Sequence, residues 1–293
     1  MSRYVVALGG NALNAQAIKK AAGVIAKIHL KGNDVVVTHG NGPQVGELED
    51  EQHRNLSILT AETEAWIGSV LAEGISNALT DRKRKSAYKA VGTVLTRIIV
   101  DAHSPEFRHP SKPIGRFLTK AEAQAYSKKG MATTKMIGGY RRVVPSPEPR
   151  EIMELDVIED MLREGKVAIA CGGGGTAVVR KGLRTEYADA VIDKDRASAL
   201  LASRINADKF FILTDVDGAY LDYKKKGQRL IRKASTSKLK NYIKEGQFED
   251  GSMKPKVESC IRFAAASGNA AAIGNIGKAA DVIALKSGTL ITP

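Results

Sequence analysis

The chain has 293 residues, 43% of them hydrophobic, with 45 Lys and Arg against 32 Asp and Glu for a net charge of +13. That apolar content suits one large core or two linked ones and excludes a disordered chain. The longest apolar runs, such as Ile98 to Val100 and Phe210 to Leu213, fall far below the roughly 20 residues of a membrane span. The N-terminal "MSRYVVALGG" is too short for a secretory core and lacks a small-residue cleavage site, so a cytoplasmic protein with no membrane partner is expected. Cys171 and Cys260 stand in no C-x-x-C spacing and read as packed thiols, not as a disulfide framework or a zinc site.

In chain order, "YVVALGGNAL" (Tyr4 to Leu13) is a β-rich apolar run that stops at a glycine pair. "AQAIKKAAGVIAKIHLKG" follows, with Ile18, Ala22, Ile25 and Ile28 on one stripe before Gly32, which predicts an amphipathic helix and its stop. The first pattern then recurs three times, in "DVVVTHGNGPQVG" (Asp34 to Gly46), "VAIACGGGGT" (Val167 to Thr176) and "KFFILTDVDGAY" (Lys209 to Tyr220). Each predicts a buried strand feeding a tight loop. Strands alternating with helices predict a mostly parallel sheet covered on both faces. Ligands of such sheets bind beyond the carboxyl ends of the strands, so the four loops predict one shared site.

Loops without Cβ atoms can bring several N–H groups to one anion, and a helix starting just after adds its positive end. Gly9, Gly10 and Asn11, and Gly172 to Gly175, are therefore candidates for holding the oxygens of a phosphate chain, the alternative being tight turns alone. The pattern G-x-x-x-x-G-K-[ST] is absent. Gly172, Gly174 and Ala177 fit G-x-G-x-x-A loosely, with Asp193 or Asp195 about 20 residues on, but "VVRKGLRTEYADA" is broken by Gly182 and reads as a basic excursion instead of the required helix. Asp195 is the expected N-cap of a helix carrying Leu200, Leu201 and Ile205. Lys194, set between Asp193 and Asp195, suits a cation that meets charge growing on a transferring phosphoryl group; taken alone, the tripeptide equally fits a surface ion pair. The basic runs "DRKRK" (Asp81 to Lys85) and "DYKKKGQRLIRK" (Asp222 to Lys233) read as a helix end and a hairpin tip, without aromatic residues spaced for base stacking. Nucleic acid is thus a disfavoured partner for this charge.

"VVALGGNAL", "THGNGPQVG", "KPIGRFLT" (Lys112 to Thr119), "RRVVPSPEP" (Arg141 to Pro149), "CGGGG", "VIDKD", "ILTDVD" and "GSMKPK" (Gly251 to Lys256), in that order, resemble the signature blocks of the carbamate kinases, within the amino-acid kinase superfamily. The resemblance runs through nearly the whole chain. It implies a three-layer α/β/α sandwich with a mostly parallel central sheet. Residues 1–160 would form an N-terminal half binding the small acid, and 161–293 a C-terminal half binding the nucleotide. A small subdomain, about 102–140, would protrude and carry Lys112 to the active site. The implied reaction interconverts ATP plus carbamate with ADP plus carbamoyl phosphate, with Mg²⁺ arriving on the nucleotide, in a homodimer.

Residue by residue, the resemblance assigns Lys194 and Lys256 to the nucleotide phosphates, Lys112 to the transferred group, and Asp195 to orienting the lysines. Gly9, Gly10, Asn11, Gly40, Asn41 and Gly42 would surround carbamate and the γ-phosphate, with Gly172 and Gly173 at the phosphate chain. Thr214, Asp215, Val216, Asp217 and Met253 would border the nucleotide. Carbamate is already an anionic nucleophile, so no general base is required, and His39 is expected to be a structural hydrogen-bonding residue. No His or Cys spacing suggests a protein-held metal. The glycines at 115, 130, 138 and 139 are possible pivots of the subdomain.

One stretch departs from the family. "ETEAWIGSVLAEGISNAL" (Glu62 to Leu79) puts Glu64 near a usual glutamine and Ala65 near a usual glycine. On the wall of the acid pocket, Glu64 would repel an anionic substrate; on the surface it would be harmless. A kinase of the same superfamily acting on another small acid or phosphate is the alternative that this departure leaves open, with a basic nucleic-acid-binding protein as a third.

Overall fold

Strand and helix alternate along the chain, in a computed structural model that describes residues 1–9, 14–52, 54–83, 88–136 and 138–293. In order, the elements are β1 (Arg3–Leu8), α1 (Ala15–Leu30), β2 (Asp34–His39), α2 (Gly42–Gln52), α3 (Leu56–Lys83), β3 (Val91–Thr93), β4 (Arg97–Ile99), β5 (Lys112–Leu118), α4 (Lys120–Lys128), β6 (Thr133–Met136), β7 (Gly139–Val144), β8 (Glu151–Ile152) and α5 (Leu155–Arg163). They continue with β9 (Val167–Ile169), β10 (Thr176–Lys181), β11 (Arg184–Val191), α6 (Lys194–Arg204), β12 (Lys209–Thr214), β13 (Tyr220–Leu221), β14 (Arg229–Leu230), β15 (Lys233–Ser235), α7 (Thr236–Lys244), α8 (Met253–Ser267), β16 (Ala271–Asn275), α9 (Ala279–Ile283) and β17 (Thr289–Thr292).

One sheet of eight strands, in the order β15-β17-β16-β12-β1-β2-β9-β3, runs through the molecule. The four strands whose sequences end in glycine or small polar residues, β12, β1, β2 and β9, are neighbours at its centre and all parallel. Their unbroken apolar runs follow from burial on both faces, because side chains alternate between the layers. Val5, Ala7, Val36, Phe210 and Ile212 face one core, with α5, α6, α7 and α8. Val6, Leu8, Val35, Val37, Phe211 and Leu213 face the other, with α1, α3 and α9. These are the three layers expected. The stripe of α1 is buried at Ala22, Ile25 and Ile28, and Phe210 meets Phe263 of α8 edge to face at 5.5 Å.

The boundary expected at residue 160 does not divide the sheet cleanly, since β9 pairs with β2 and β3. Among the described residues three smaller sheets accompany the main one, one of them the two-stranded β13–β14 hairpin. β10 and β11 form a hairpin, the basic excursion of the sequence, in a sheet ordered β11-β10-β4-β8. β5, β7 and β6 form a separate antiparallel sheet covered by α4, whose helix opens on a capping box of Thr119 and Glu122. This small sheet is fastened to α2. A Cβ on Gly46 would overlap the backbone of Gly115, Arg142 and Glu49 form a buried ion pair, and Tyr126 Oη donates to Asp50 Oδ1 at 2.5 Å. Gly115, expected to be a pivot, is a close-packing position here.

The run Asp81 to Lys83 ends α3, as expected, with Arg84 and Lys85 outside the described residues; Asp222 to Lys233 spans the β13–β14 hairpin. Among the described residues no helix is long and apolar enough to cross a membrane. Cys171 and Cys260 are both free and buried.

Candidate active site

The carboxyl ends of β1, β2, β9 and β12 open into one cleft of about 650 Å³. Gly9, Gly40, Asn41, Gly173, Thr214 and Asp215 line it from those four strand ends, so the four loops do meet. Three helices also begin there, α2 at Gly42, α6 at Lys194 and α8 at Met253. Their unpaired N–H groups and positive dipole ends favour an anion.

Three lysines from distant parts of the chain converge on two buried aspartates. Lys112, reaching in from β5, pairs with Asp193, and Lys194 pairs with Asp195. Lys256, one turn into α8, lies 3.2 Å from Asp195 Oδ2 and also donates to Ser252 O at 3.2 Å. Asp193, not Asp195, is the N-cap of α6: its Oδ1 accepts from the amides of Asp195 at 2.9 Å and Arg196 at 3.2 Å. The sequence places two acids one residue apart, and the helix starts at the earlier one. Asp195 in the first turn is thereby free to bridge two lysines. The first turns of α6 are anchored on β2 by a 2.6 Å hydrogen bond between Thr38 Oγ1 and Ser198 Oγ.

Burial by itself would raise the aspartates, but Lys112, Lys256 and Lys194 outweigh it and hold Asp193 below the usual carboxylate range, as Lys194 and Lys256 do for Asp195. Burial lowers Lys194 despite its aspartate neighbours. Lys256 ends raised, because Asp195 and Asp193 outweigh its burial. The two aspartates hold the three lysine side chains together at the cleft before any substrate arrives.

The four glycines have a mainly steric cause. A Cβ on Gly172 would overlap the His39 ring and Glu64, one on Gly173 would overlap the Asn41 amide, and one on Gly174 would overlap the carbonyl of Ile192. Cys171 and Gly173 are left-handed, with φ of 51° and 65°. The Gly172 amide donates to Glu64 Oε1 at 2.8 Å, facing away from the cleft, and Gly173 is the residue of the four that lines it.

Glu64 takes neither expected place. It is 1% exposed, beneath the glycine loop, and is absent from the cleft wall. His39 is buried, with Nδ1 3.3 Å from Gly40 O and Nε2 without a partner among the described residues. Burial lowers it to about 4, so it is neutral, in keeping with a structural role. Asn41 Nδ2 donates to Thr63 Oγ1 at 2.7 Å, which sets its position over Gly173. Val216 and Met253 line the cleft, whereas Asp217 lies outside its lining and pairs with Lys278 at 2.9 Å. Gly10 and Asn11 lie outside the described residues.

Two groups were not singled out from the sequence. Arg141 lines the cleft, with Nη2 donating to Gly115 O at 2.6 Å, its guanidinium 5.6 Å from the centre of the Phe117 ring, and Nε buried without a partner among the described residues. The signal was present, since Arg141 opens the "RRVVPSPEP" block. Tyr223, Lys224 and Lys225 of the β13–β14 hairpin, with Phe248, also line the cleft. The basic run is exposed, as its composition suggested, yet its first residues belong to the cleft.

The profile of the amino acid kinase family matches residues 2–275. The carbamate kinase of Thermoplasma acidophilum is 43% identical across 99% of this chain and 99% of its own. That of Pyrococcus furiosus is 37% identical across 99% of each. Among solved structures, carbamate kinase from Giardia lamblia bound to AMP-PNP superposes with a TM-score of 0.86 at 36% identity, covering 99% of this chain and 98% of that one.

Proposed function

Because the chain belongs to the amino acid kinase family, and within it to the carbamate kinases, we propose that its cleft moves a phosphoryl group between ATP and carbamate, with ADP and carbamoyl phosphate on the other side. The observation that carries this reading is the convergence of Lys112, Lys194 and Lys256 on Asp193 and Asp195 at the glycine-lined ends of four central strands. Phosphoryl transfer requires two anions to be aligned and the charge growing between them to be neutralised. Carbamate is anionic, so attack needs no base. Lys194 and Lys256 contact the nucleotide phosphates and Lys112 the group in flight. The aspartates keep those ammonium groups in place, so little reorganisation is needed during transfer.

The strand-end loops at Gly9, Gly40–Gly42 and Gly173 take the acid and the transferred phosphoryl, and residues 161–293 take the nucleotide at Thr214 to Val216 and Met253. Mg²⁺ enters on the phosphates. Asp193 and Asp195 are already engaged by lysines, which leaves the ion to phosphate oxygens and water, the coordination Mg²⁺ favours. Glu64 lies under the loop, away from the cleft wall, which removes the reason for expecting a different acceptor. A cytoplasmic homodimer belongs to the same reading, its pairing supported by Trp66 and Val70, two exposed apolar side chains one turn apart on α3.

A coupled assay of ATP formation from carbamoyl phosphate and MgADP tests the proposal. Activity in the wild type and its loss in Lys112→Ala, Lys194→Ala and Lys256→Ala are expected. Protein that binds ADP but makes no ATP would overturn it.

A further inference from the structure

Helix α3 touches the floor of the site with two consecutive residues. Thr63 holds Asn41, and Glu64 holds the glycine loop. Glu64 Oε1 accepts from the Gly172 amide at 2.8 Å and Oε2 from the Thr96 amide at 3.3 Å. Thr96 is tied to the same loop at both of its ends, since its Oγ1 accepts from Cys171 N at 2.9 Å and its carbonyl accepts from Thr176 N at 2.7 Å. One carboxyl therefore joins α3, the segment after β3 and the loop that presents Gly173 to the cleft. A Cβ on Gly172 would overlap the His39 ring and then Cγ of Glu64, so a glycine is needed where both side chains press on the loop.

We propose that Glu64 is a positioning residue for phosphoryl transfer: its two oxygens set the height of the glycine loop by holding the Gly172 and Thr96 amides together, and loss or gain of its proton adjusts that setting. The inference rests on the phosphotransferase reading above. With both oxygens ionised, Glu64 accepts from both amides. Once protonated, the oxygen that carries the proton loses its negative charge and is a poorer acceptor, so one of the two ties is weakened. Burial pushes Glu64 up to about 8 against the pull of the Gly172 and Thr96 amides, so both forms are populated near neutral pH.

The groups packed around it do not share this titration. His39 of β2 stays neutral, the Cys171 thiol is pushed up first by burial and then by Glu64, and Glu154 acts only at longer range. Lys194 is lowered too, but it faces His39 and is unchanged in a Glu64 variant.

The test compares wild type with Glu64→Gln in ATP formation from carbamoyl phosphate and MgADP between pH 6 and 10, together with thermal unfolding over the same range. Gln is shaped like the protonated acid. Wild-type kcat is expected to rise through a step near pH 8 by roughly three- to tenfold, the worth of one hydrogen bond. Glu64→Gln should lack the step and stay at the low-pH level, with KM for ADP unchanged. A step of equal size in Glu64→Gln, or a wild type without one, overturns the inference. The unfolding readout is independent of turnover: wild type should lose stability relative to Glu64→Gln as pH rises toward 8, because the folded state holds a proton that the unfolded state has released. If neither protein makes ATP at any pH, the phosphotransferase reading fails. The unfolding comparison then decides the proton linkage by itself, and parallel melting curves sink it.

Discussion

Replacing Asp195 with Asn probes whether the lysine cluster is held as described. Asp195 is 3% exposed in its side chain and touches Lys194 and Lys256, themselves 11% and 15% exposed. Asn keeps the shape and removes the charge, leaving two poorly hydrated ammonium groups to share Asp193 with Lys112. Breaking a buried pair from one side costs about 3–5 kcal/mol. The lower end applies here because Asp193 remains, and about 3 kcal/mol lowers Tm by roughly 5 °C in a chain of 293 residues. Turnover should fall about 100-fold as the lysines lose their aim. ADP affinity should hold or improve, because its phosphates supply the missing negative charge and no longer compete with a carboxylate; MgADP should therefore raise the Tm of the variant by more than that of the wild type. Differential scanning calorimetry with and without MgADP reads this directly. Unchanged melting, with equal increments from ADP, would refute the idea that Asp195 holds these lysines.

Further outcomes follow from the same geometry. Arg141→Lys keeps a cation but loses the planar fork over Phe117, so KM for carbamoyl phosphate should rise about tenfold with KM for ADP unchanged; equal changes in both constants would place Arg141 outside the acid site. Gly173→Ala adds a Cβ against Asn41 at a left-handed position and should cost about 1–3 kcal/mol and most of the activity; a fully active, equally stable variant would show that the loop has room. His39 is lowered to about 4 by burial, so as pH falls below 6.5 the unfolded chain takes up a proton that the folded state refuses. Stability should drop by up to roughly 3 kcal/mol between pH 6.5 and 4 and level off below. His39→Gln should flatten that slope in urea titrations, and identical slopes would assign the acid sensitivity elsewhere.

Much of this arrangement is legible in the order of residues. An apolar run that keeps its side chains hydrophobic at odd and even positions alike, as in "YVVAL" or "KFFIL", must be buried on two faces, and only a strand between helical layers meets that condition. Four such runs ending in glycine or small polar residues therefore predicted a parallel sheet with a site at its rim, and the helical stripe of Ile18, Ala22, Ile25 and Ile28 predicted one covering layer.

Contacts between residues far apart in the chain obey no such local period. Whether Asp193 or Asp195 caps α6 depends on where the chain enters the helix; the choice of Asp193 leaves Asp195 for Lys256, 61 residues away. The glycines looked like a phosphate cradle, but all four owe their missing side chains to His39, Glu64, Asn41, Ile192, Ile98 and Thr96 pressing on the loop from other elements. Glu64 looked like a surface or pocket charge because a helix with apolar residues all round gives no direction for one carboxylate. Only the packing of α3 under the loop after β9 turned it inward, where two amides could replace the water it gave up.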